Sequence, residues 1–196
     1  MSARTYDSAT PQDFLAALAE LRATPWRAEL SVEEIPSPQR IAPYSLAVDA
    51  ELLRDDEVVG SGRLVLLHDP AGNDAWDGTF RCVTFSKADV EPEMVRDPLL
   101  ADVGWTWLLE ALSNHDADYR EPSGTVSAVI STPFGGLAGD PGRAELEIRA
   151  SWTPALVHGR GLGAHLAAWQ DVLSMTAGLP VTPPGGISIQ PRRLRR

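Results

Sequence analysis

The residues best spaced for chemistry are His158-Gly159-Arg160-Gly161-Leu162-Gly163, which follow an alternating segment and open an apolar one. Glycines at such a junction let backbone N–H groups approach an anion closely, and the positive end of a helix favours negative charge. The chemistry on offer is an anion site for a small ligand, with His158, Gly159, Arg160, Gly161 and Gly163 as its residues. A tight strand-to-helix turn needs the same glycines and no ligand at all.

Other residue types suggest less. Asn114-His115-Asp116-Ala117-Asp118-Tyr119 gathers one imidazole and two carboxylates, a donor set that could ligate a metal. The same run reads better as a solvated helix C-terminus with His115 near the last carbonyls. Cys82 stands in mid-strand with nothing beside it to stabilise a thiolate, so it reads as a small apolar group. Gly60-Ser61-Gly62 lacks the spacing of a nucleophile elbow. Arg143, Glu145, Glu147 and Arg149 share one strand face and read as cross-strand ion pairs on a wet surface. No catalytic constellation, metal site or cofactor is expected. Trp105 and Trp107 point about 200° apart on a helix. Trp107 matches the apolar stripe, which leaves Trp105 as the candidate interface residue.

Composition bounds the answer. The chain has 196 residues, 43% apolar and 22% charged, a size and balance suited to one domain with its own core. Its net charge is −10, although Arg192, Arg193, Arg195 and Arg196 crowd the last six positions. An acidic body repels phosphate backbones, so nucleic acid is expected only through those arginines, which would make an RNA-associated protein. One cysteine allows no internal disulfide. Without a bilayer-length apolar run or a signal peptide, the expectation is a cytoplasmic protein with no membrane partner.

The elements follow from periodicity. Thr10-Pro11-Gln12-Asp13 starts a helix, with Thr10 a potential cap, and Thr24-Pro25 ends it. Strands are expected at 27–35, 44–53, 58–67, 79–87, 124–131 and 143–153, the second and third joined at Arg54-Asp55-Asp56-Glu57. Gly60 and Gly62 predict a bulge or a close backbone approach. Polar loops are expected at 68–78 and 113–124, and further helices at 98–113 and about 161–176. Between 144 and 152 the even positions (Ala144, Leu146, Ile148, Ala150, Trp152) are apolar and the odd ones polar, so the even face must be covered. The fold class is α+β: a single antiparallel sheet of about six strands, with two or three helices packed mainly on one face. Residues 1–9 are expected to fray, 10–178 to form the single domain, and 179–196 to form an extended Pro/Arg-rich tail.

Two resemblances accompany this reading. His158-x-x-Gly161-x-Gly163 is similar to the pyrophosphate loop of the Gcn5-related acetyltransferases, with His where that family has Arg or Gln. That resemblance implies an acyl-CoA-binding, transferase-like protein. The whole chain resembles an uncharacterised actinobacterial family of about two hundred residues, a domain of unknown function. Pro11-Gln12-Asp13-Phe14, Trp26-Arg27, Trp105-Thr106-Trp107-Leu108, the 158–163 loop and Gln190-Pro191-Arg192-Arg193-Leu194 carry it. It implies an actinobacterial cytoplasmic protein and supplies no activity. The expected function is a non-catalytic binding or adaptor protein, with an unknown protein partner or a homodimer formed through the sheet edge or Trp105.

Overall fold

Alternation builds the sheet, and the unequal chemistry of its two faces decides where the helices go. The computed structural model describes residues 10–38 and 40–181. In chain order the elements are α1 (Gln12–Ala23), β1 (Leu30–Ile35), β2 (Tyr44–Arg54), β3 (Glu57–Asn73), β4 (Gly78–Asp89), a single turn α2 (Pro92–Val95), α3 (Leu100–Asn114), β5 (Tyr119–Ser131), β6 (Arg143–Pro154) and α4 (Leu162–Thr176). A short 3-10 turn, Gly135–Leu137, lies between β5 and β6. The six strands form one antiparallel sheet in the order β1-β2-β3-β4-β6-β5, as the α+β reading expects.

In β6 the even positions 144 to 152 are buried, while the odd positions 143 to 151 are exposed or half-buried. The inner face also takes Leu46, Val48, Leu64, Leu66, Phe80 and Cys82, and α4 lies across it. α4 is buried nearly all round, with Leu162, Leu166, Trp169 and Val172 fully enclosed. Gly62 explains how it comes so close: a Cβ there would stand 2.2 Å from Leu173 Cδ2, so the helix packs on bare backbone. The expected close approach at Gly60 and Gly62 is thus the passage of α4. The actual irregularity in register falls opposite, between Leu52 and Leu53.

Both central helix tryptophans flank the α3 stripe of Leu100, Gly104, Leu108, Ala111 and Leu112. The stripe's centre falls between them, so each is half-buried and packed on the core, and neither lies away from it. Trp105 rests over Gly124 on the edge strand, where an added Cβ would meet its Cζ3 at 2.9 Å.

Three expectations need correction. The segment 68–78 is mostly strand, since β3 runs on to Asn73 and the hairpin turns only at 74–77. β5 starts at Tyr119, inside the expected loop, because a bulge between Arg120 and Ser123 absorbs Pro122 without ending the ladder. Thr10 does not cap α1: Pro11 occupies the cap position with no side-chain bond. The Arg54–Glu57 turn is as expected, with Asp55 and Asp56 both at positive φ (53° and 65°), the geometry a two-residue hairpin requires. The last residues, including all four clustered arginines, and positions 1–9 lie outside the described residues.

Candidate binding surface

The glycine-rich segment folds as a tight turn in which the amides of Arg160, Gly161 and Gly163 are already used. Val157 and Arg160 exchange backbone hydrogen bonds of 3.0 Å in each direction, with His158 and Gly159 at positive φ between them. Gly159 is pressed against α1, leaving no room for a side chain beside the Asp13 carbonyl. Gly161 N–H and Gly163 N–H, the free donors at the start of α4, both donate to the Glu20 carboxylate of α1 at 3.0 and 3.1 Å. The positive helix end therefore holds an anion, and that anion is the chain's own side chain. His158 and Arg160 are exposed on the turn.

His115 and the end of α3 serve a different structure. Asp171, on α4 and buried, accepts from Arg27 Nη1 at 3.1 Å and bonds His115 Nε2 at 2.7 Å. Gln170 beside it accepts from the Arg27 backbone N–H at 2.8 Å. One buried polar patch on α4 thus ties down both the α1–β1 connection and the α3 C-terminus. No group of three or more His, Cys, Asp and Glu among the described residues is arranged to hold a metal ion.

The remaining reactive types are sealed in the core. Cys82 is fully buried, and burial pushes its thiol up, away from the reactive thiolate. His165 is buried and accepts the Trp152 indole N–H on Nδ1 at 3.1 Å; burial pushes its pKa down to about 4. His68 is stacked on Phe80 at 4.1 Å, with Nδ1 on the Thr79 carbonyl and Nε2 without a hydrogen-bond partner. Arg81 is buried on the outer side of β4 and donates to the Glu121 carbonyl and to the Ser123, Ser151 and Thr153 hydroxyls. It holds the β5 bulge together, which accounts for an arginine in a strand interior. Burial lowers its pKa, and the charge of nearby Glu121 offsets this only in part.

The other face of the sheet is open and carries the candidate surface. α1, α3 and α4 share the inner side, and a trough of about 800 Å3 crosses the outer side from β1 to β6. That is the size range of sites that hold small molecules or peptide side chains. Strand register lays Glu33, Asp49, Arg63, Phe85 and Arg149 in one row across it. Phe85 forms the half-exposed floor, with Arg149 stacked over its ring at 5.1 Å and Val65 and Val83 alongside. Asp49 grips Arg63 through two contacts of 2.6 and 2.8 Å, and Glu147 holds Arg149 at 3.1 Å. Glu33 and Glu51, on the β1 side, have no cationic partner among the described residues. Lys87 reaches Glu145 at 2.6 Å from the neighbouring strand, the cross-strand pairing expected for that wet face.

Sequence reasoning passed over the trough, yet β4 carries its signal. There Thr84 and Ser86 point into the core while Val83 and Phe85 point out, the reverse of an ordinary half-buried strand.

The family model described as protein of unknown function (DUF3000) matches residues 10–187. No curated protein and no solved structure matches the chain.

Proposed function

The chain belongs to the DUF3000 family, whose function is unknown, and we propose that it is a non-catalytic binding or adaptor protein that holds a basic, partly apolar segment of a partner protein in the outer-face trough. The observation that carries this reading is Phe85, an aromatic floor on the solvent side of a central strand, between two valines and near Glu33 and Glu51, two carboxylates without a cationic partner among the described residues. A merely wet sheet face needs only polar side chains. Glu33 and Glu51 would receive a Lys or Arg of the partner, and Phe85 with Val83 would receive an apolar side chain next to it. Arg149, exposed and stacked on the ring, can swing from Glu147 to a partner carboxylate or carbonyl.

The competing anion-site reading at His158, Gly159, Arg160, Gly161 and Gly163 requires a ligand to displace Glu20, an intramolecular carboxylate that is always present. The RNA reading rests on arginines outside the described residues. We also infer a cytoplasmic setting, which the lone, buried Cys82 supports.

The test is comparative affinity capture from the native extract with the wild type, Phe85→Glu, and the double variant Glu33→Lys/Glu51→Lys. A protein retained by the wild type and lost with both variants supports the trough. A partner retained equally by all three, or no partner retained by the wild type, overturns it.

A further inference from the structure

We propose that β5 is the interface of a homodimer, in which two copies pair Thr125–Ser131 antiparallel across a twofold axis and join their sheets into one of twelve strands. This inference is independent of the trough.

An open sheet has two edges, and each exposes a row of N–H and C=O groups on which another strand can pair. The β1 edge is guarded. It is short, it carries Glu33 and Glu34, and Arg22 of α1 clamps Glu34 at 3.1 Å. The first part of β5 is guarded too, by the bulge at Pro122. Beyond the bulge the protection stops. From Pro122 to Gly139 the chain has no ionisable side chain, although its net charge is −10. Val129 and Ile130 are 38% and 47% exposed on this bare edge.

The neighbouring surface continues the same character. With Trp105 over Gly124 and Gly104 over Val126, α3 runs antiparallel to β5. Its first turn therefore lies toward Ala128 and Ile130. Leu99 and Val103 of that turn are 60% and 41% exposed. Edge backbone and these apolar side chains thus lie at the same end of the molecule, with Asp102 exposed between Leu99 and Val103.

A second copy fits this edge better than a foreign strand for three reasons. The sequence T-V-S-A-V-I-S is close to self-complementary about Ala128: Ser127 meets Val129, Val126 meets Ile130, and Thr125 meets Ser131. Along the strand itself two strongly acidic chains can pair without opposing like charges, because Pro122 to Gly139 carries none. Pairing β5 with β5 also uses the one unguarded edge among the described residues of each copy, so assembly closes at two. Pairing β5 with β1 would propagate as a fibre and is blocked by the β1 glutamates. A strip of seven residues is about 23 Å long, and sheet plus helix layer about 20 Å deep, which gives about 900 Å2 over both copies. Phe134, 79% exposed just past the strand end, extends this toward the size of a specific interface. In this register it approaches Gly124 and Trp105 of the second copy. The sheet edge and Trp105, separate candidates in the sequence, become parts of one surface.

Sedimentation equilibrium on the full chain tests the proposal, against a monomer mass of 21.1 kDa. The wild type should sediment at twice that mass. The double variant Ser127→Lys/Val129→Lys sets lysine against lysine twice and should weaken the dimer about tenfold or more, with an unchanged circular dichroism spectrum. In Ala128→Cys, a short bismaleimide should link two chains through residue 128, because the native Cys82 is buried. A monomeric wild type would overturn the proposal. So would a dimer indifferent to the lysines, or a dimer that the reagent fails to link.

Discussion

Replacing Glu20 by alanine takes away the anion that closes α4. Three contacts of 3.0–3.2 Å from two amides disappear, and two helix N–H groups revert to water. Gly161 and Gly163 are exposed, so the Coulombic part is screened and the loss resembles that of a good cap, about 1–1.5 kcal/mol. For a chain of this size that is a drop in Tm of about 2–6 °C. Glu20→Gln keeps an accepting oxygen and should fall between the two. The emptied amides should then accept an external anion. Sulfate raises the Tm of most proteins by exclusion, so the informative quantity is the excess gain of Glu20→Ala over the wild type. At ten times its Kd, sulfate bound at the vacated site would return about 1.4 kcal/mol. Thermal denaturation followed by circular dichroism, with and without sulfate, measures both effects. An unchanged Tm, or equal sulfate gains in the two proteins, would refute the assignment of Glu20 as the resident anion.

Two further substitutions probe the buried polar groups. His165 has a folded-state pKa of about 4, against 6.5 for the free side chain, so the unfolded chain takes up the proton first. Its contribution is fully present above pH 6.5 and is lost as pH falls toward 4, by about 3 kcal/mol. Burial shifts His68 in the same direction. Urea midpoints from pH 7 to 4 should fall less steeply in His165→Gln than in the wild type; coincident slopes would contradict this. Asp171→Ala leaves Arg27 and His115 without their shared carboxylate in a mostly buried setting and should cost about 3 kcal/mol by urea unfolding. A loss below about 0.5 kcal/mol, the ordinary level for a surface change, would contradict the account.

The sequence disclosed facing more readily than partnering. The alternation from Ala144 to Trp152 told which side of β6 is covered, because side-chain direction repeats every two residues. It could not tell that β6 inserts between β4 and β5, since local pattern carries no record of which strand lies next door. Gly60 and Gly62 pointed to a bulge or a close approach, because two bare positions interrupt an apolar strand, and the fold shows the close approach. The approaching residues, Leu173 and Ala177, lie more than a hundred positions away. The same distance hid the Glu20 cap of α4 and the Arg27–Asp171–His115 cluster. A histidine followed by Asp69 and Pro70 reads as a loop, which ends the expected strand at Leu67. In the fold, His68 is sealed between Phe14 and Phe80 and the strand continues past it. The trough escaped notice because its parts come from five strands, and only register assembles Glu33, Arg63, Phe85 and Arg149 into one row.

The partner segment assigned to the trough should meet the face that the helices leave open. Single cysteines at Ser61, Phe85 and Arg160 can each be alkylated with a bulky maleimide while buried Cys82 stays silent. Recovery of the captured partner should collapse when position 61 or 85 is blocked and survive a block at 160. Survival at 61 and 85 with loss at 160 would move the working surface to the glycine turn and contradict the account.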